Sequence, residues 1–327
     1  MDFTDFTAGK DDDSRRLDRV AQRLLPDRGY SEVQTLMRKR LVKLNGARVK
    51  PDTRVSEGDV ISVASFLLSS EDVGEKSCQM SSPQSVPQSA SEPEFETVFE
   101  NEHILVINKP WGINVQPSKN GGENLASMVS SYLAGQKSGS SLSFSPGPLH
   151  RLDRLTTGLL AFSKSSLGAR WFTDAIKNHA IRKSYLGLAE GRLEEECRWC
   201  DRISDTPEKS VSSFHTVCVS KDGAEAITTA RPLAYGKTLS LVQYDIETGR
   251  KHQIRCQTSF HGHPLEGDVA YGGKSNAEGT FFLHAAHLTF PKDNPLGLPP
   301  DLSAPVPQGF QKKLILGLIN WSGQIII

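Results

Sequence analysis

The densest grouping of side chains able to do chemistry is His150-Arg151-Leu152-Asp153-Arg154-Leu155-Thr156-Thr157-Gly158, which runs directly into an apolar stretch. Cations flanking an aspartate favour its carboxylate form, which suits Asp153 to act as nucleophile or base rather than as acid. The same charges also fit an exposed, salt-bridged loop. A second grouping, Glu247-Thr248-Gly249-Arg250-Lys251-His252-Gln253-Ile254-Arg255, places Arg255 one turn beyond Lys251 and His252 on a helix that starts near the glycine. Such an arginine is either surface charge or the buried, fork-shaped partner of a carboxylate elsewhere. A third runs through His261, His263, Glu266, Asp268, Tyr271, His284 and His287. Four histidines and two acids admit a metal-dependent hydrolase, but no HExxH spacing puts two of the histidines on one helix face. Cys197 and Cys200 form a lone CxxC without a second pair.

These groups need a scaffold, and the pattern from residue 95 onward supplies one. Strands are expected at Thr97–Phe99, His103–Asn108, Gly158–Phe162, Tyr185–Ala189, Leu239–Ile246 and His287–Phe290, from short β-branched and apolar runs. Helices are expected at Leu125–Leu133, Ala169–Asn178, His252–Phe260 and Gly309–Ile319. This irregular order predicts an α+β domain over 95–327 with a large mixed, mostly antiparallel sheet. Residues 69–94 are rich in Ser, Pro, Gln and Glu without periodicity, and read as a flexible linker. Residues 14–68 read as a small α/β domain. Leu17, Val20, Ala21 and Leu24 recur at helical spacing before Pro26, and Ser31 is placed to cap a second helix through Arg40. A hairpin over Val42–Val49 turns at Asn45-Gly46, and a strand follows at Val60–Val63.

The 327 residues carry 38 basic and 38 acidic side chains, yet the balance hides a gradient. Residues 14–62 hold 12 Lys/Arg against six Asp/Glu, whereas residues 63–102 hold one lysine and eight acids. Arg15, Arg16 and Arg19 crowd the start of the first helix, and Arg38, Lys39, Arg40 and Lys43 the end of the second. Such a patch is either a solvated face or a phosphate-binding surface whose affinity falls with salt. No apolar run approaches the ~18 residues needed to span a bilayer. The start lacks a basic, apolar leader, and five scattered cysteines make no disulfide framework. A cytoplasmic protein, a monomer off the membrane, is expected.

Together these residues resemble the RluA-type pseudouridine synthases, and within them the ribosomal large-subunit enzymes that carry an N-terminal S4 domain. The likeness runs from about Arg15 to Ile319. Its most specific element is His150–Gly158, similar to the family's HRLDxxTSG signature. Asn108-Lys109-Pro110-Trp111-Gly112 resembles NKPxG, Lys183-Ser184-Tyr185 the KxY segment, and Thr248–Arg255 the TGRTHQIR segment. Gly262-His263-Pro264, Gly267-Asp268, Tyr271-Gly272 and Leu283-His284-Ala285-Ala286 follow in family order. Thr157 stands for the usual Ser, Gln116 for a frequent His, Lys251 for Thr, and Arg40 for a Gly that commonly closes the second helix.

The resemblance implies a pseudouridine synthase fold and an enzyme that isomerises uridine to pseudouridine in RNA, 23S-type ribosomal RNA foremost, without a cofactor. It places the catalytic aspartate at Asp153, its arginine partner at Arg255 and the active-site tyrosine at Tyr185. Arg151 is expected to fill the space left by a flipped base and Leu283 to close the pocket. Arg15, Arg16, Arg38, Lys39, Arg40 and Lys43 are expected to meet RNA phosphates. Two other readings stay open: a catalytically idle RNA-binding or ribosome-assembly factor, and an enzyme acting on transfer RNA.

Overall fold

The computed structural model describes residues 1–68, 95–118, 121–135, 141–205, 216–317, 319 and 321. The segment expected as a linker, 69–94, lies outside the described residues. The described chain falls into two compact units.

The first unit is built from residues 1–68 with the described parts of Val129–Gly147 and Lys164–Leu167. Strand β1 (Phe3–Thr7), helices α1 (Leu17–Leu24) and α2 (Tyr30–Arg38), and strands β2 (Val42–Leu44) and β3 (Val60–Ala64) follow in order. The three strands form one antiparallel sheet in the order β1-β3-β2. Its core joins Leu17, Val20 and Ala21 of α1 to Val33, Leu36 and Met37 of α2 and to Ile61 and Val63, as the helical spacing requires.

The unit extends beyond residue 14 on the N-terminal side. The acidic start is the edge strand β1, whose Phe6 packs against the core. Asp12 is fully buried and accepts bonds from the backbone of Gly9, Leu142 and Ser143 and the hydroxyls of Ser141 and Ser143. Burial opposes its charge, but these donors outweigh it and hold the carboxyl below its usual range.

Two local expectations are corrected. Helix α2 starts at Tyr30 with Gly29 rather than Ser31 in the cap position. The turn Asn45-Gly46 has both φ values positive (49° and 75°), as an Asn-Gly hairpin turn requires, but the hairpin closes only by the Leu44–Ala47 bridge. Strand β2 instead pairs with β3.

The second unit carries the large sheet. Strands β4 (Glu96–Glu100) and β5 (Ile104–Lys109) precede helix α3 (Leu125–Gly135), most of which belongs to the first unit, then come β6 (Gly147–Pro148), β7 (Thr157–Ser163) and α4 (Ser166–Lys177). Next are β8 (Arg182–Glu190), β9 (Cys197–Ser204), β10 (Cys218–Val219), β11 (Ala224–Tyr235), β12 (Leu239–Ile246) and α5 (Gln253–Phe260). Strands β13 (Leu283–Thr289) and β14 (Asp301–Ser303) and helix α6 (Gln308–Leu316) complete it. The strand order is β10-β9-β11-β12-β8-β13-β7-β5-β4, with β14 beside β13 and β6 beside β7. Among the described residues β13 pairs with β7 in parallel, whereas the neighbours from β10 through β13, and β7 with β5 and β5 with β4, pair antiparallel. The expected α+β class with a mostly antiparallel sheet is what the chain adopts.

Every residue of β7 is buried, which explains its unbroken apolar reading. Phe172 and Ala175 of α4 pack on Ile104, Val106, Leu159 and Ala161, while Phe310 and Leu314 of α6 pack on Leu186, Leu188 and Phe282. Gly158, the last residue of the Asp153 motif, is what lets β13 lie beside β7. Its φ is +105°, and a Cβ there would sit 2.2 Å from the carbonyl oxygen of Ala285. Strand β13 starts at Leu283 rather than at His287, so His284 and His287 lie inside the sheet. No helix of the described residues is long and apolar enough to cross a membrane.

Candidate active site

Asp153 sits on the turn between β6 and β7, and three neighbouring bonds fix that turn. Thr156 donates its backbone N–H to the Asp153 carbonyl at 3.1 Å. The carbonyl of Arg154 accepts the Gly112 backbone N–H at 3.0 Å and the Lys109 ammonium at 2.9 Å. Lys109, at the end of β5, has no exposed surface and also donates to the Pro110 carbonyl. Burial pushes its ammonium down to about 8, against the attraction of Asp153. On the other side His150 accepts the Ala161 backbone N–H through Nε2. Burial pushes that imidazole down to about 3, so it serves as a neutral structural pin.

Arg255 reaches Asp153 from α5. Its Nη1 donates to Asp153 Oδ2 at 3.1 Å, while Nε and Nη2 grip Asp268 Oδ2 and Oδ1 at 2.7 and 2.9 Å. The guanidinium is covered by the rings of Tyr271 and Phe281, at 4.8 and 4.3 Å from their centroids. Asp268 is only 2% exposed, so its charge is satisfied by this pair. With Nε and Nη2 spent on Asp268, the planar fork turns its remaining nitrogen, Nη1, to Asp153. That sets where the Asp153 carboxylate lies.

The side chain of Asp153 keeps 23% of its surface exposed, toward a cleft of about 520 Å³. It is lined by Asn114–Ser118, by Arg151–Leu155 and by His252, Arg255 and Phe281. An adjoining recess of about 60 Å³ shares Arg151 and Asp153 and is lined by Tyr185 and Leu283. Tyr185 is on β8, opposite Tyr244 and Ala285, and Leu283 opens β13 opposite Gly187. Burial, with the charge of Asp153 adding to it, raises the Tyr185 phenol far above its usual range. It stays a neutral ring with a donor hydroxyl. Arg151 is exposed at the mouth.

Asp153, Arg255, Tyr185, Leu283 and Arg151 are thus gathered in one place from four separate segments of sequence. Four further residues of the site were not singled out in the sequence as belonging to it: Asp268, Tyr271, Phe281 and Lys109. The Gly267-Asp268 and Tyr271-Gly272 pairs were the available signal, because a buried arginine needs a counter-charge and a cover.

Three of the four histidines that raised the alternative of a metal site are engaged separately. His261 contacts Asp201 at 3.0 Å and stacks on Trp199, and His263 contacts the Glu190 carbonyl. His284 lies between the Thr157 hydroxyl, at 2.8 Å, and the Ala304 carbonyl. The hydroxyl that Thr157 shares with serine is therefore in use. Among the described residues no group of three His, Cys, Asp or Glu side chains is placed to hold a metal.

The six basic residues expected to meet RNA divide. Arg15 is half-buried and donates to the Ser143 carbonyl and the Ser166 hydroxyl. Arg16 pairs with the buried Asp18 at 2.7 Å, and the ammonium of Lys43 lies 3.8 Å over the Phe3 ring. Arg38, Lys39 and Arg40 are exposed where α2 ends. Arg40 occupies the left-handed region (φ 64°), and Leu41 donates back to the Leu36 carbonyl at 3.0 Å. This is a helix stop usually given to glycine.

The family model described as RNA pseudouridylate synthase matches residues 103–260, and the S4 domain model matches residues 15–61. The chain is 31% identical over 242 residues to ribosomal large subunit pseudouridine synthase D of Zymomonas mobilis, covering 70% of this chain and 72% of that protein. It is 27% identical over 284 residues to ribosomal large subunit pseudouridine synthase C of Vibrio vulnificus, covering 84% of each. Over 313 residues it is 27% identical to an uncharacterized RNA pseudouridine synthase of Bacillus subtilis, covering 94% of this chain and 96% of that one. In fold it is similar to human RNA pseudouridylate synthase domain containing 4, with a TM-score of 0.56 and 20% identity over 69% of this chain and 94% of the other.

Proposed function

The chain belongs to the RNA pseudouridylate synthase family and carries an S4 domain, and from that premise we propose that it isomerises uridine in ribosomal RNA of the large subunit with Asp153 as its catalytic carboxylate. The observation that carries this reading is the guanidinium of Arg255, clamped by Asp268 and presenting one N–H to Asp153 at the floor of the cleft. The names of the relatives, which include large-subunit synthases C and D, support ribosomal RNA as the substrate.

The target uridine leaves its helix, which costs a few kcal/mol. Arg151, exposed at the mouth, enters the vacated space with its planar cation. The uracil stacks on Tyr185, recovering roughly 1–3 kcal/mol, and Leu283 closes the recess from the other side. Asp153 then acts on the nucleotide, at the ribose C1′, at the uracil C6 or on a ribose proton. Each route uses a fixed carboxylate with one oxygen held by Arg255, and none requires a cofactor. The N1–C1′ bond breaks, the uracil rotates, a C5–C1′ bond forms, the C5 proton leaves and N1 takes up a proton. The S4 domain, acting through Arg38, Lys39 and Arg40 with Arg15, Arg16 and Lys43 beside them, holds structured RNA by shape and phosphate contacts. The enzyme works as a monomer in the cytoplasm.

Mapping pseudouridines in cells with the gene deleted, and again with it restored, tests the substrate. Loss and recovery of sites in large-subunit ribosomal RNA is the expected result. Loss confined to transfer RNA, or no loss, overturns that assignment.

A further inference from the structure

His252 precedes α5 with a left-handed backbone (φ 51°, ψ 24°) and does not cap the helix with its side chain. Such a conformation in a non-glycine residue carries strain that the surroundings must hold. Here it sets the imidazole between two partners: Nδ1 lies 2.8 Å from the Tyr271 hydroxyl, and Nε2 lies 3.7 Å from Asp153 Oδ1. The Tyr271 oxygen already accepts the Val217 backbone N–H at 2.9 Å. A phenol that accepts there has its own proton left to give, and His252 Nδ1 is the atom in line to take it. The imidazole hydrogen is then on Nε2, facing a carboxylate; a lone pair there would be repelled.

We propose that Tyr271 and His252 are positioning residues, a proton-locked pair that gives Asp153 a second donor. Arg255 fixes Oδ2 and the His252 Nε2–H orients Oδ1, so the carboxylate plane is set from both sides. The separation of 3.7 Å is just beyond hydrogen-bond length, and contacts of this kind tighten in the productive complex. The charged groups facing His252 are Asp153 on the turn before β7, Arg255 on α5, Lys251 before it and Asp268 beyond it. Burial, with Arg255 and Lys251 adding to it, keeps the imidazole below its usual range against the pull of the two aspartates. A neutral ring, in one tautomer, is what these surroundings select. This inference rests on the reading of Asp153 as the catalytic carboxylate.

Long-range proton–nitrogen correlation on the 15N-labelled full chain at pH 7, with His252→Gln to assign the signal, reads the tautomer in the unaltered enzyme. A neutral ring protonated at Nε2 is expected, and protonation at Nδ1 overturns the proposal. Steady-state kinetics supply the second test. Glutamine can place an N–H near the Nε2 position and asparagine cannot. His252→Gln is expected within about fivefold of wild type and His252→Asn about 30-fold below it, with KM changed less than about twofold in both, the scale expected when a reacting group is misplaced. Equal rates for the two variants overturn the proposal. So does a Tyr271→Phe enzyme with unchanged kcat, since about a tenfold loss is expected once the tautomer is unlocked. Asp153→Asn separates the two levels. If it still isomerises RNA, the reading of the site fails; if it is inert while His252→Asn runs at the wild-type rate, only the paired-donor inference fails.

Discussion

Replacing Asp268 with asparagine tests the claim that Arg255 is aimed by its clamp. The amide keeps the shape and one acceptor but turns an NH2 toward the guanidinium, where two charge-assisted bonds of 2.7 and 2.9 Å now stand. One such bond is worth ~1.5–3 kcal/mol. Removing one partner of a buried ion pair costs ~3–5 kcal/mol when nothing else offsets the remaining charge. Here Asp153 and the rings of Tyr271 and Phe281 still face Arg255, so a loss of about 2–4 kcal/mol is expected. For a domain of this size that lowers Tm by roughly 4–16 °C. The kinetic loss is larger in kind, because a shift of about 1 Å at the reacting group costs ~10²-fold in rate. The assay is release of tritium from C5 of labelled uridine in RNA, run well below the unfolding transition, beside a binding measurement. Asp268→Asn should bind RNA as the wild type does and turn over about 100-fold more slowly. A folded variant within about threefold of the wild-type rate would refute the idea that Asp268 aims Arg255.

Further predictions concern the basic tip of α2 and the buried lysine. Replacing Arg38, Lys39 and Arg40 together by glutamine should lower the slope of log affinity against log salt by about 2–3, measured by titration at several salt concentrations; an unchanged slope means that the tip is merely solvated. Arg40→Gly should relieve a left-handed residue and stabilise the end of α2 by about 1 kcal/mol, seen as slower amide exchange in α2, while RNA binding weakens. Lys109 has its ammonium pushed down to about 8 in the folded chain from an ordinary 10.5. Between those values the unfolded chain binds more protons, so this group's contribution to stability rises with pH. The stability difference between wild type and Lys109→Met, from denaturant titrations, should shift toward wild type by about 2 kcal/mol from pH 7.5 to 9.5. A flat difference would mean that the ammonium is not buried as described.

The parts of the site that lay open in the sequence are those fixed by local chemistry. Asp153 stands in a motif whose glycine is needed within a few residues for β7 to meet β13, and Arg255 and Tyr185 sit in segments of the same kind. Asp268, Tyr271 and Phe281 act on Arg255 across 13–26 positions of sequence, where neither spacing nor periodicity records a contact. Strands β9 and β11 went unread for another reason. In β9 Trp199 and Ile203 are buried among charged and polar neighbours, and β11 contains Pro232 at the point where its register against β12 shifts. Propensity is weak where one face is wet. The Asn45-Gly46 turn was legible as a turn, but the strand partner is set by the sheet, and β3 displaces the chain after Ala47.

The central claim is that a single carboxylate, fixed by Arg255 in the cleft, performs the isomerisation. Substituting Asp153 by alanine, and measuring RNA affinity and tritium release on the same preparation, tests it most directly. Affinity close to that of the wild type with no tritium released is the predicted result. Measurable turnover by the alanine variant would contradict it.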